Sequence, residues 1–220
     1  FHLSPDGRYL ITLEFEQETG SPDLRIYDLQ RDIKSRFTSR PGLEQYPVPT
    51  PDSRRVLFRA DWGDGVKLYM QTVGGFEDAE VFLDEADAIV PSSWAPDGSE
   101  LVGVQSTDGG DYGTIVGVPF DGTGTIRTII STDDRMTSPQ VSPDARFVAL
   151  DRTVEATAGD IVTVDLETGV ESMLSRDEAN ESLPTWSSDG RRLYFFRGPS
   201  LYSVATDGRT PPRLEFNSSE

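Results

Sequence analysis

The sequence predicts an all-β chain, a β-propeller of four-stranded antiparallel blades with about five blades present. Three observations predict it. A turn-forming tetrapeptide recurs five times at nearly constant spacing, an apolar run follows each copy, and a more alternating strand with a second tight turn follows each run. The tetrapeptides are Ser4-Pro5-Asp6-Gly7, Thr50-Pro51-Asp52-Ser53, Ala95-Pro96-Asp97-Gly98, Ser142-Pro143-Asp144-Ala145 and Ser187-Ser188-Asp189-Gly190. Their aspartates stand 46, 45, 47 and 45 residues apart. A regular period near this length marks a blade.

Each tetrapeptide has the chemistry of a corner. Proline pre-sets φ at the second position, aspartate suits the third, and glycine relieves strain at the fourth. Asp6, Asp52, Asp97, Asp144 and Asp189 are therefore read as structural caps joining the innermost strand of a blade to the second, not as catalytic groups. A short segment precedes each corner, often with a large apolar residue three places before the aspartate, as at Trp94 and Trp186; Leu3 and Val141 share that place and Pro49 departs from it. Both tryptophans are expected to wedge between blades. Runs at 9–13, 56–58, 101–104, 147–150 and 193–196 follow the corners, and strands so continuously apolar are covered on both faces. Third strands are expected at 24–29, 66–72, 114–118, 160–166 and 201–204. Tight turns follow at Gly74-Gly75, Asp121-Gly122, Glu167-Thr168-Gly169 and Asp207-Gly208, and short outer strands such as 80–83, 126–130 and 171–174 close the units. The blades cover roughly 1–38, 44–84, 89–131, 137–175 and 182–216 of a single propeller or propeller fragment, 1–220.

This pattern resembles the TolB-type, or WD-like, propeller repeat, whose consensus runs Pro, x, Trp, Ser, Pro, Asp, Gly, a basic residue and an apolar strand. Thr185-Trp186-Ser187-Ser188-Asp189-Gly190-Arg191-Arg192-Leu193 follows it closely, with Ser188 in place of proline, and Ser53 replaces the second glycine. The resemblance spans nearly the whole chain and implies an architecture of six to eight blades, so further blades and other domains of a longer chain are expected, although five blades can also close. It also implies a short list of jobs: periplasmic TolB-like scaffolds, the gating propellers of prolyl oligopeptidase and dipeptidyl peptidase relatives, and propellers appended to kinases or transcription regulators.

Composition narrows that list. The 220 residues carry 20 Lys+Arg against 38 Asp+Glu, a formal net charge of -18, which repels phosphate backbones and anionic lipid. Nucleic acid is not an expected partner. No apolar run reaches the length that crosses a bilayer, so membrane insertion is not expected. With no cysteine and His2 as the only histidine, neither a thiol nucleophile nor a His-based triad or His-rich metal cluster can be assembled within the chain, and no Gly-x-Ser-x-Gly elbow occurs. No catalytic residue and no metal site is expected. Asp61-Trp62-Gly63-Asp64-Gly65 and Asp108-Gly109-Gly110-Asp111 offer oxygen ligands at short spacing, a weak calcium signal. Neither has the graded ligands and terminal glutamate of a calcium loop, so both are read as solvated hairpins without a cofactor.

Strand order assigns the remaining chemistry to one end. Second-to-third and blade-connecting loops share an end of a propeller, and here they carry Glu16, Glu18, Asp61, Asp64, Asp108, Asp111, Glu155 and Asp160 together with Glu44, Asp84, Glu85, Asp87, Asp133, Asp134, Asp177, Glu178 and Glu181. Arg40, Arg135, Arg176 and Arg197 are the chief cations against them. A non-catalytic protein- or ligand-binding scaffold whose acidic rim takes a basic peptide, protein surface or cation is the expected function, because converging fields concentrate cations there. The residues expected to carry it are Asp61, Trp62, Asp64, Asp108, Asp111, Tyr112, Asp133 and Asp134, with Phe76 nearby. The alternative is the gating propeller of an oligopeptidase-like serine hydrolase whose catalytic domain lies outside these residues. A periplasmic or other extracytoplasmic location is the favoured compartment.

Overall fold

A computed structural model describes residues 1–15, 22–38, 40–75, 77–84, 89–106, 113–120, 125–154 and 158–217. They form five four-stranded antiparallel sheets and no helix. The first blade comprises β1 (His2–Leu3), β2 (Tyr9–Phe15), β3 (Pro22–Asp28) and β4 (Ile33–Arg36). The second comprises β5 (Leu43–Pro49), β6 (Arg55–Asp61), β7 (Val66–Thr72) and β8 (Glu80–Leu83), and the third β9 (Ile89–Trp94), β10 (Glu100–Gln105), β11 (Thr114–Pro119) and β12 (Arg127–Ser131). The fourth holds β13 (Arg135–Val141), β14 (Phe147–Thr153), β15 (Asp160–Asp165) and β16 (Glu171–Ser175), the fifth β17 (Glu181–Trp186), β18 (Arg192–Arg197), β19 (Ser200–Ala205) and β20 (Arg213–Phe216). In every sheet the strands pair in chain order.

The corners form for a local reason. The amide of the fourth residue donates to the carbonyl of the first in all five, from Gly7 to Ser4, Ser53 to Thr50, Gly98 to Ala95, Ala145 to Ser142 and Gly190 to Ser187, at 2.8–2.9 Å. That fourth residue is left-handed, with φ between 58° and 73°, whether it is glycine or, in blades two and four, Ser53 and Ala145. Glycine adopts this conformation without penalty; serine and alanine hold it because the turn and the strands on either side leave no alternative. The corners also sit at one level around the axis. The Asp6 amide donates to Ser53 Oγ at 3.2 Å, and Gly98 and Gly190 lie beside Pro51 and Pro143 of the preceding blades.

Innermost strands β1, β5, β9, β13 and β17 each pack on the next, and side chains bridge them. Ser93 Oγ donates to the Pro139 carbonyl, Gln140 Nε2 to the Ser92 carbonyl, and Trp186 Nε1 to the Gln140 carbonyl at 2.9 Å. Trp94 wedges between Phe82 and Phe120, with ring centroids 5.9 and 5.5 Å away. Burial follows blade position. Val56, Leu57 and Phe58 of β6, and Val148, Ala149 and Leu150 of β14, are buried on both faces. In β18 only Leu193 and Phe195 are buried while Phe196 is exposed, and in β2 Ile11 alone is buried. The first and fifth blades each cover one face only.

Four innermost strands carry a register shift, and in three of them the backbone turns left-handed there without a glycine. Tyr46, Ser138 and Leu183 have φ of 52°, 53° and 56°, at the register shifts of β5, β13 and β17, and each precedes a proline. In the third blade Pro91 occupies this place, and proline cannot take a positive φ.

Candidate functional site

The two ends of the propeller hold their carboxylates differently. At the corner end Ser4, Thr50, Ser142 and Ser187 donate their hydroxyl protons to Asp6, Asp52, Asp144 and Asp189 at 2.5–2.7 Å. The same carboxylates accept the amides of Arg8, Arg54, Arg146 and Arg191, and Asp97 accepts that of Ser99. The hydroxyl oxygens in turn accept the amides of Tyr9, Arg55, Phe147 and Arg192, closing each motif. Hydroxyl donation comes first among the causes that hold these four aspartates below the ordinary carboxylate range; for Asp97 it comes from Ser99. Between the innermost strands at this end lies a cavity of about 360 Å³ lined by Pro5, Pro49, Pro51, Pro96, Pro143 and Trp94 among others, without a carboxylate. His2 borders it, its imidazole lowered to about 4 chiefly by burial.

At the loop end, Asp61 closes β6, is exposed, and caps its own turn by accepting the Gly63 amide at 2.9 Å. Lys67 bridges Asp64 and Asp84 at 3.0 and 3.2 Å, tying the second-to-third loop of blade two to the connection that leaves it, and its hydrogen bond lowers Asp64. Asp134 meets Arg152 at 3.4 Å, whereas Asp133 beside it is exposed with no partner among the described residues. Asp177 pairs with Arg197 at 3.0 Å and Asp160 with Arg176 at 3.5 Å. Trp62 is built into the wall: its ring lies 4.1 Å from Tyr69 and 5.9 Å from Phe58, with the Arg40 guanidinium 4.7 Å over it. Asp108, Asp111, Tyr112, Phe76, Glu16, Glu18, Glu85, Asp87 and Glu155 lie outside the described residues.

Two of the acids expected on this rim are not there. Glu44 and Glu181 are fully buried in strands β5 and β17, where each bridges two blades. Glu44 accepts the Thr38 hydroxyl and, at 3.1 Å, the Trp62 indole N–H; Glu181 accepts the Ser175 hydroxyl at 2.6 Å and the Arg197 guanidinium at 2.7 Å. Each takes a hydroxyl from the end of the preceding blade and a second donor from its own. Sequence reasoning missed that role, although each glutamate stands where the other blades carry Ile89 and Met136. Among the described residues no cluster of three His, Asp or Glu side chains is disposed to hold a metal ion.

Five such blades, with hydroxyl-capped aspartate corners, match the TolB beta propeller domain over residues 2–220. The chain belongs to this family. No curated protein matches it. Among solved structures it is similar to TolB from Acinetobacter baumannii, with 21% identity, a TM-score of 0.76, and coverage of 96% of this chain and 52% of that one. Putative TolB from Agrobacterium tumefaciens has 17% identity and a TM-score of 0.80, with 97% and 78% covered. A puromycin-hydrolyzing peptidase from Mycobacterium tuberculosis has 15% identity and a TM-score of 0.66, with 96% and 38% covered. The chain thus spans about half of the first TolB, and at these identities the likenesses establish the fold. TolB-type propellers and peptidase propellers share it.

Proposed function

We propose that this TolB-type propeller is a non-catalytic binding module that takes a basic peptide or protein surface at its loop end, in an extracytoplasmic compartment. The observation that carries the reading is the contrast in carboxylate availability. Four corner aspartates each accept a hydroxyl and an amide on one carboxylate oxygen, while at the loop end Asp61 accepts only the Gly63 amide and Asp133 has no donor, and neither meets a cation among the described residues. Asp64 and Asp134 stand beside them with one cation each, and Asp108, Asp111 and Tyr112 fall between β10 and β11, the corresponding second-to-third connection of the third blade. Ionised groups in such loops raise the local concentration of cations and speed encounter with basic surfaces.

Titrating the chain with a Lys/Arg-rich peptide and with an acidic peptide of equal length tests this. The basic peptide is expected to bind, with an affinity that falls as salt screens the rim, and the acidic one to give no signal. Equal binding of both, or binding indifferent to salt, contradicts the reading. The likeness to a peptidase favours a second reading, in which the same propeller gates a hydrolase domain elsewhere in its protein. Peptide hydrolysis by the longer protein, lost when its propeller is deleted, distinguishes that case.

A further inference from the structure

The seams between blades come in two kinds, written in paired positions of the repeat. Thr38 and Glu44 precede Asp52 by 14 and 8 residues, and Ser175 and Glu181 precede Asp189 by the same intervals. At those two places the third blade has Leu83 and Ile89, and the fourth has Ile130 and Met136. Each pair joins the end of one blade to the first strand of the next. Where one member is a hydroxyl the other is a glutamate, and where one is aliphatic so is the other; Leu83 packs with Ile89 in one apolar cluster, and Ile130 with Met136 in another. Matched pairs are what a buried seam demands, because a carboxylate facing an aliphatic side chain is left without a donor.

The two polar seams differ in charge. Glu181 has Arg197 against it, and that arginine also reaches Asp177. Glu44 has no cation within ion-pair distance among the described residues; its donors are the Thr38 hydroxyl, the Trp62 indole and the Leu24 backbone amide, which the Thr38 oxygen also accepts at 3.2 Å. Blade one faces Glu44 with Asp23, a like charge held by Arg36 at 2.9 Å and Arg25 at 3.7 Å. From the connection and blade two come Arg40, which lies on the Trp62 ring and reaches Asp78 at 3.4 Å, Asp61, Tyr69, and Lys67 on its two aspartates. A cleft of about 230 Å³ lined by Thr38, Arg40, Trp62 and Gln71 runs along this seam, giving solvent a way to it. Burial, the largest influence on it, pushes the Glu44 carboxyl above its ordinary value.

We propose that the seam between the first and second blades is a proton-operated latch: it closes when Glu44 takes up a proton and loosens when Glu44 is ionised, while the seam between the fourth and fifth blades, holding an arginine, stays closed. Thr38 suits this role, since its hydroxyl donates to a carboxylate and accepts from a carboxylic acid without moving. The direction follows from linkage. For a carboxyl raised in the folded state, the cost of burying its charge is absent below the ordinary carboxylate value and complete above the folded one, so the latch weakens as pH rises.

Amide hydrogen exchange, corrected for the intrinsic pH dependence of the rate, reads the latch at Leu24 and at Phe37, whose N–H donates to the Leu24 carbonyl at 2.9 Å. Protection there is expected to fall with rising pH, about tenfold for each unit by which Glu44 is raised. The Glu181 amide, which donates to the Gly159 carbonyl, is expected to show no such step. In Glu44→Gln the step disappears and protection at high pH rises. The Trp62 indole N–H resonance in the unaltered chain supplies a readout that needs no variant, and it is expected to titrate in step with the Leu24 amide. A flat profile at Leu24 and Trp62 in the unaltered chain, or the same step retained in Glu44→Gln, overturns the proposal.

Discussion

The corner end and the loop end of this propeller are built from the same acidic residue but surround it with different partners. At a corner, aspartate sits two residues after a hydroxyl and two before an amide, so donors reach it from its own backbone neighbourhood. At the loop end aspartate meets whatever cation the neighbouring strand supplies, as with Asp64 and Lys67, or none among the described residues, as with Asp133. A net charge of -18 therefore says little about which carboxylates are available. Local hydrogen bonding decides it.

The largest way to probe the difference is acid. Asp6, Asp52, Asp144 and Asp189 are lowered by their hydroxyl donors, and Glu14 is lowered to about 2 by Lys34 and then Tyr27. A carboxylate lowered in the folded state contributes stability that is present above its ordinary pKa and lost as pH falls through the folded value. Thermal melts are therefore expected to move down steadily below the ordinary carboxylate range, with the contribution of Glu14 the last to be lost, as pH falls through about 2. A melting temperature indifferent to pH in that range contradicts the account of the corners.

Next in size is the corner hydroxyl. Ser142 is buried, donates to Asp144 and accepts the Phe147 amide at 2.9 Å, so Ser142→Ala leaves two partners unmatched. A loss of about 2 kcal/mol in denaturant unfolding is expected. Ala145→Gly works in the opposite sense, relieving a left-handed φ for a gain of about 0.5–1 kcal/mol, read in the same titration. Smallest is the effect of the loop-end acids on stability. The set Asp61→Asn, Asp133→Asn is expected to change unfolding by less than about 0.5 kcal/mol per site, while reducing the salt-dependent affinity for a basic peptide. A destabilisation like that of Ser142→Ala would erase the distinction between the ends.

The corners were legible because their chemistry is local: Pro51-Asp52 or Pro143-Asp144 sets a turn regardless of what packs on it. The apolar runs behind them were legible for the related reason that a strand covered on both faces leaves no room for polar alternation, as β6 and β14 illustrate. Glu44 and Glu181 were misread as rim acids because their donors, Thr38 and Ser175, sit at the end of the preceding blade. A signal was present in the matched substitutions at those two places of the repeat, but it emerges only when blades are compared at both positions together. The bulges at Tyr46, Ser138 and Leu183 share only the proline that follows each, since nothing in a tyrosine, serine or leucine announces a positive φ.

Hydrogen-exchange mapping of the chain with and without a saturating Lys/Arg-rich peptide tests the central claim most directly, because it reports both ends in one measurement. Added protection is expected in the loops around Asp61–Asp64 and Asp133–Asp134, and none at the corners of Asp6, Asp52, Asp97, Asp144 and Asp189. Protection concentrated around Pro5, Pro51, Pro96 and Pro143, with the loop end unchanged, would contradict it.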